Sequence, residues 1–578
     1  LGLALAAAWT ASGEAGQRGT LRTSPTPTPT YLDVSREAGL TFTNVNGASP
    51  QKRLVETMGS GGLFVDADND GWIDIFLVDG GSEADPAVAR TARHRLYRNR
   101  RNGTFEDVTS SSGIRHREYG MGACAGDYDN DGLVDLYVTN VGPNVLYRNS
   151  GGGAFADVTQ KAGIASALWG TSCAFADFDK DGRLDLFVTN YVEMGKDRDR
   201  FCGSTQPMMR QYCHPLVFQG SPNVVYRNAG NGTFTDVTAR AGIARYRGNG
   251  LGVAIADYDD DSWPDVFVAN DGVPNFLFHN DGRGGFMDDA LVAGVSSASD
   301  GRSRAGMGTA FGDVDGDGRT DLVVTNHETE MHSLFRNLGD GSFADATVES
   351  GVGPATLPYV GFGVVLADYD NDGDLDLAIV NGHVIDNVAL VRSGAKHAQA
   401  RLLLQNAGTG RFRDVSAQSG SAFAVDAVGR GLAAGDIDND GDLDLLATSN
   451  GGAAALLRND GGNRNNALLV RLIGGSTSLT TDPGRVERVG MSNRDGIGAR
   501  LRATTGTRTQ MRELTSGSSY LSQNDARVHI GLGSAAAVDR LDIRWPSGQT
   551  ETLQKVSANQ IITVRESAGI VGTVPFIR

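Results

Sequence analysis

The sequence predicts an all-β protein: a seven-bladed β-propeller with calcium loops, followed by a small β-sandwich. Three observations carry this expectation. An acidic nonapeptide recurs seven times, each copy sits in a unit of four short apolar runs, and the run that the last unit lacks stands ahead of the first. Internal repetition at this scale means an array of one supersecondary unit.

The seven copies place aspartate at positions 1, 3, 5 and 9. They are Asp66, Asp68, Asp70 and Asp74; Asp127, Asp129, Asp131 and Asp135; Asp177, Asp179, Asp181 and Asp185; Asp257, Asp259, Asp261 and Asp265. Then come Asp313, Asp315, Asp317 and Asp321; Asp368, Asp370, Asp372 and Asp376; and Asp436, Asp438, Asp440 and Asp444. An EF-hand needs a bidentate Glu at position 12, and here that position holds Leu77, Val138, Val188, Val268, Val324, Ile379 and Ala447. The EF-hand reading therefore fails, and the ninth Asp takes the closing role. Alternating carboxylates around a tight glycine turn still offer the oxygen set that Ca²⁺ prefers, whereas Mg²⁺ resists dehydration and wants a tighter octahedron. Up to seven Ca²⁺ ions are expected, the site at Asp257 to Asp265 being the weakest because Ser262 replaces the glycine and Pro264 stiffens position 8. The net charge of −17 argues against a nucleic-acid partner and reads largely as unfilled ligand charge.

Each unit opens on a Gly-x-Gly run, as at Gly120/Gly122, Gly250/Gly252, Gly306/Gly308, Gly361/Gly363 and Gly429/Gly431; the third copy departs with Gly170/Ser172. An apolar strand such as "LYVTN", a run of the "LYRN" type and a strand of the "FADVT" type follow. Four strands per unit in seven units is a propeller pattern. No "FxDVT" run follows the seventh copy, and "YLDVS" (31–35) precedes the first, so this strand should complete the last blade and remove the free edge. The Gly-x-Gly strands are then innermost, where side chains have least room.

Of four cysteines, Cys202 and Cys213 lie in a Gly/Pro-containing insertion and are expected to close a short disulfide loop outside the cytoplasm. Cys173 lies one place out of register with Cys124, so no bridge is predicted between these two. Residues 1–20 read as the tail of an export signal or a disordered start, the apolar run 1–9 being too short to span a bilayer, and 21–30 as a Thr/Pro linker. The propeller is expected over 31–460, the sandwich over 466–567, an insertion over 477–493 and a tail over 568–578.

The nonapeptide units resemble the FG-GAP/VCBS repeats of the integrin α-chain propeller, a resemblance that implies calcium loops between neighbouring strands of a blade. The C-terminal stretch is similar to the ASPIC/UnbV domain in its Asn493/Gly496/Gly498/Ala499 entry, its Ser522-Gln523 step, its "HIGLG" segment (529–533) and "RWPSG" (544–548). A propeller followed by this module resembles the cartilage acidic protein family and its bacterial relatives, which implies a secreted calcium-binding protein. Read from its own residues, the same stretch alternates in short runs divided by turns, predicting a small antiparallel sandwich.

No nucleophile elbow, P-loop, dinucleotide fingerprint or zinc motif stands in a supporting context. The best polar cluster comes from two equivalent loops, one with His327, Glu328, Glu330 and His332, the other with His383 and Asp386. They are candidates for a second, transition-metal or sugar-binding site, against the blander reading of solvated loops. The function expected is an extracytoplasmic, calcium-binding scaffold for protein or glycan; the alternative is an extracytoplasmic enzyme of carbohydrate or secondary metabolism.

Overall fold

A computed structural model describes residues 28–115, 118–195, 198–206, 208–475 and 491–578. The expected export segment, most of the linker and residues 477–490 of the insertion lie outside the described residues. Seven four-stranded antiparallel sheets form the larger domain. Their innermost strands are Gly62–Val65, Tyr119–Gly126, Gly170–Ala176, Gly250–Ala256, Thr309–Gly312, Gly361–Ala367 and Gly429–Gly435. Each touches the next, and the seventh touches the first, so the array is a closed propeller. Strand Thr30–Asp33 pairs with Ala455–Asp460, with Tyr31 opposite Asn459, and completes the seventh sheet.

Both faces of each sheet are covered by neighbours, which is why the strands are apolar without alternation. In the second sheet Leu136 and Val138 pack toward the first, while Tyr137 and Cys124 pack toward the third. This arrangement overturns the expectation for Cys124 and Cys173, which are disulfide-bonded with Cα atoms 5.7 Å apart. The one-residue offset does turn Cys173 to the opposite face of its own strand. Adjacent sheets, however, present opposite faces to each other, so opposite parity is the condition for meeting. Cys202–Cys213 closes the insertion hairpin as expected.

The C-terminal domain is a sandwich of two four-stranded sheets. It departs from the sequence reading in two ways. Asn466–Ile473 and Gln560–Arg565 pair in parallel, because the chain between them crosses to the other sheet rather than turning in a hairpin. The stretch expected as a tail carries the edge strand Gly569–Pro575, which pairs antiparallel with Gln560–Arg565, Ile561 opposite Val574 and Val564 opposite Ile570.

The two domains are not beads on a string. The segment from Thr515 to Asp525 leaves the sandwich and enters the propeller axis. Ser519 exchanges backbone hydrogen bonds with Thr309, Leu521 O accepts from Ala123 N, and Phe64 N donates to Gln523 O. Ser519 Oγ accepts from Val364 N, and Asp525 N donates to Ala434 O. Tyr520 and Leu521 are fully buried among Met58, Met121, Leu251, Met307 and Phe362. The segment is a plug, and it crowds some of the inner glycines: a Cβ on Gly61 would lie 2.0 Å from Leu521 O, and one on Gly122 2.8 Å from Leu521 Cα. Gly308 and Gly363 are crowded instead by Phe362 O and Leu432 N of neighbouring strands. Ser172, where the third repeat departs, uses its hydroxyl to accept from Leu521 N at 3.1 Å.

Candidate metal loops and the interdomain face

Each acidic loop links the first and second strands of its sheet. In six of the seven, the first Asp gathers the backbone N–H groups of positions 5 and 6; Asp127, for example, accepts from Asp131 N at 3.0 Å and Gly132 N at 2.7 Å. The turn requires a positive φ at position 6, from +82° to +96°, which glycine adopts without strain. The ninth Asp is buried and holds two backbone groups. Asp135 accepts from Tyr128 N at 3.2 Å and from Asn149 N at 2.7 Å.

Arginines such as Arg148, on Asp129 and Asp131, pair with outer oxygens of these loops but do not reach all of them. Asp68, Asp129, Asp179, Asp315 and Asp438, all at position 3, keep a buried Oδ1 with no hydrogen-bond donor among the described residues. Carboxylate oxygens of Asp66, Asp68 and Asp70, of Asp127, Asp129 and Asp135, and of Asp177, Asp179 and Asp185 converge within 4.8 Å of one another. Burial first, and neighbouring aspartates second, push Asp185, Asp376 and Asp444 well above the carboxylate range. Buried carboxylates in that condition are stabilised by a hard, oxygen-liking cation. The residues therefore fit Ca²⁺ in six loops.

The fourth loop is different. Asp257 gathers no loop N–H; its Oδ2 accepts from Arg544 Nη2 at 2.6 Å, and Arg500 Nη2 stands 3.7 Å away. Ser262 sits at φ +79°, a strained region for a residue with a Cβ. His279 Nδ1 lies 3.3 Å from Asp259 and 3.4 Å from Asp265, and the adjacent Asp265 carboxylate raises it to about 9. Here two sandwich guanidinium groups and an imidazole surround the loop's carboxylates.

Arg544 is one of several sandwich groups laid on the loop face. Arg471 donates to Asn69, Arg508 to Asp372 O, Arg512 to Gly373 O and Arg527 to Asp436 O, while Asp495 accepts from Asp127 N. The loops are buttressed by the second domain rather than open to solvent.

One repeated residue carries more than the sequence reading assigned to it: the Asn that ends each "RN" run. Asn149 Nδ2 donates to Val134 O of its own loop and to Ala67 O of the preceding one. The same pair of bonds recurs around the ring, and Asn99 closes it by reaching Ile437 O of the seventh sheet at 2.8 Å. The Asn that ends all seven of these runs, after Arg in five, His279 in one and Gln405 in another, was the available signal.

The second predicted cluster is only partly assembled. His327, Glu328 and His383 come together, with His383 Nε2 donating to Glu328 Oε1 at 2.8 Å and Arg392 paired to the same oxygen. His383 Nδ1 accepts from Ile385 N at 2.9 Å, so Nε2 carries the proton and has no lone pair for a metal. The other three residues stand elsewhere. Glu330 accepts from Ala305 N, Asp386 pairs with Lys52, and His332 Nδ1 accepts from Asn326 N at 3.1 Å. His332 fills the position of Asn144, Asn223 and Asn275, whose side-chain oxygens accept the corresponding backbone N–H in other sheets. His332 thus holds its turn as those asparagines do, and of the six predicted residues only His327, Glu328 and His383 stand close enough together to share an ion.

Comparison with known proteins agrees with this anatomy. FG-GAP-like repeat matches cover 66–138, 127–188, 216–268, 257–324, 313–379 and 384–447, and an ASPIC and UnbV match covers 490–571. The chain is 28% identical to human cartilage acidic protein 1 over 335 residues, 57% of this chain and 46% of that protein. It is 27% identical to the mouse protein over the same length, 57% of this chain and 47% of that one. The matches thus span about half the length of these relatives. Among solved structures it is similar to a Burkholderia pseudomallei lectin, BP39L (10% identity, TM-score 0.39, 70% of this chain and 96% of that one). It is also similar to an Agrocybe aegerita lectin specific for non-reducing terminal N-acetylglucosamine (16% identity, TM-score 0.35, 62% and 79%). With repeat matches over more than half its length, the chain belongs to the FG-GAP-like repeat family and carries an ASPIC and UnbV domain at its C-terminal end.

Proposed function

We propose that this chain is an extracytoplasmic, calcium-braced binding module for protein or glycan, in which the ions are structural. The observation that carries the calcium reading is the recurrence of a buried, donorless Oδ1 at position 3 in five loops of one geometry. Two disulfides accord with an oxidising compartment. Among the described residues no helix is long and apolar enough to cross a membrane. The plug fills the propeller axis, so ligands are met on the rim, the outer faces or the interdomain seam rather than in a central channel.

The test is thermal melting with and without chelator. Chelation should lower the melting temperature and Ca²⁺, not Mg²⁺, should restore it. Identical melts would overturn the calcium reading.

A further inference from the structure

Six asparagines of this chain precede a glycine: Asn46, Asn102, Asn231, Asn249, Asn381 and Asn450. Such a step has its own chemistry, because a residue without a Cβ leaves its backbone nitrogen open to the carbonyl carbon of the preceding side chain. The fold treats the six unequally, and four are held. Their Nδ2 groups donate to backbone carbonyls, Asn46 and Asn450 to Glu56 O, Asn249 to Asp271 O and Asn381 to Ala400 O. Their glycines are crowded: a Cβ on Gly47 would lie 2.4 Å from Gly81 O, and one on Gly382 2.6 Å from Gly429 N. The N–H groups of Gly382 and Gly451 are themselves bonded, to Val360 O and Asn44 Oδ1.

Asn102 and Asn231 stand apart. They occupy the same turn in the first and third sheets, between the two outermost strands, and both residues are exposed. Neither amide nitrogen, nor the N–H of the glycine that follows, is bonded among the described residues. A Cβ on Gly103 or Gly232 would meet nothing within 4 Å, so water reaches both turns. The amide oxygen, by contrast, is gripped. Asn102 Oδ1 accepts from Thr104 N at 3.1 Å and Thr104 Oγ1 at 2.7 Å, and Asn231 Oδ1 from Thr233 N at 3.1 Å and Thr233 Oγ1 at 2.6 Å. Two donors on one carbonyl oxygen stabilise the oxyanion that forms when its carbon is attacked. The turn needs only this oxygen: in the fifth sheet Asp340 makes the same bonds with Ser342. The amide nitrogen is left with no structural task.

We propose that Asn102 and Asn231 are sites of spontaneous deamidation, with water as the only co-reactant. The deprotonated nitrogen of Gly103 or Gly232 bonds to the asparagine Cγ, the Cγ–Nδ2 bond breaks, and the amide leaves as ammonia with the proton it takes up. Water then opens the cyclic imide at either carbonyl, giving aspartate or isoaspartate and one further negative charge at each turn. Aspartate keeps the turn, as Asp340 does. Isoaspartate lengthens the backbone by one carbon beside Arg101, which donates to Asp70 of the first acidic loop at 2.6 Å.

The experiment is peptide mapping by mass spectrometry of the whole folded protein, aged at mildly alkaline pH in heavy-oxygen water beside a denatured sample. In the folded sample Asn102 and Asn231 should convert at least tenfold faster than the other four asparagines, with heavy oxygen incorporated. Denaturation should bring all six within a fewfold of one another. Thr104→Val should slow Asn102 severalfold while Asn231, in the same molecule, keeps its rate; an unchanged ratio would refute the hydroxyl's part. Equal rates at all six sites of the folded protein, or both turns intact while the denatured sample converts, would overturn the proposal. A glycan mass on either asparagine would overturn that site, since Asn-Gly-Thr is also a glycosylation acceptor and a glycosylated nitrogen does not leave.

Discussion

Arg544 of the sandwich donates to Asp257 of the propeller at 2.6 Å, and Asp257 begins the one loop whose first carboxylate gathers no backbone N–H group. A sandwich guanidinium holds the first carboxylate here, whereas in the other six loops backbone N–H groups hold it and arginines such as Arg148, on Asp129 and Asp131, pair with later positions. Calcium counting by equilibrium dialysis should therefore return six ions, not seven, and Asp257→Asn should leave that number unchanged. Asp129→Asn should lower it by one. Arg544→Met should destabilise by about 1–3 kcal/mol, the penalty for a buried carboxylate losing a partner, read by denaturant unfolding.

The plug predicts that the domains do not unfold independently. Tyr520 is fully buried, and its hydroxyl donates to Met58 O at 2.7 Å. Tyr520→Ala should cost about 3–5 kcal/mol, as large-to-small aromatic truncations in cores do. Near-ultraviolet circular dichroism and proteolysis should show both domains loosening in one transition; two separate transitions in the wild type would refute the coupling.

Cys124 and Cys173 join neighbouring sheets across 49 residues, with both side chains buried. The double variant to alanine should lose about 2–4 kcal/mol by the loop-closure argument. Native protein should resist thiol labelling even with mild reductant, and four thiols should appear only when denatured and reduced. Labelling of native, reductant-treated protein at Cys124 would show that this seam opens.

His332 makes an acid-sensitive point. Burial first, with Arg304 nearby, lowers it from its ordinary 6.5 to about 3. Its folded pKa lies below the unfolded one, so the unfolded chain binds the proton first. The stability it protects is complete above pH about 6.5 and is lost as pH falls toward 3. His332→Asn copies Asn144, Asn223 and Asn275, so it should fold normally and show a shallower fall of melting temperature with acid. An unchanged slope would exclude this residue as the sensor.

The repeat, its four strands, the closing strand and the acidic loops were all legible in the chain, because each depends on spacing and residue type within one unit. The Gly-x-Gly runs were legible as crowding but not as crowding by Leu521, whose partner glycine Gly61 lies 460 residues away. His332 could not be told from a ligand by its loop "NHETEMH"; only the strand register shows it standing where Asn144 stands. The Asn of each "RN" run was visible as a pattern, yet its bond to the preceding sheet belongs to no single unit.

What the sequence by itself determined is therefore local: periodicity builds the sheets, and glycine with alternating carboxylates builds the loops. Tertiary structure alone decided which faces meet. It set Cys124 against Cys173 by opposing the faces of adjacent sheets, sent Tyr520 down the axis, and paired Asp257 with Arg544. The physical reason is that these contacts depend on how rigid units stack, and stacking is settled by shape and buried charge between residues that the chain keeps far apart.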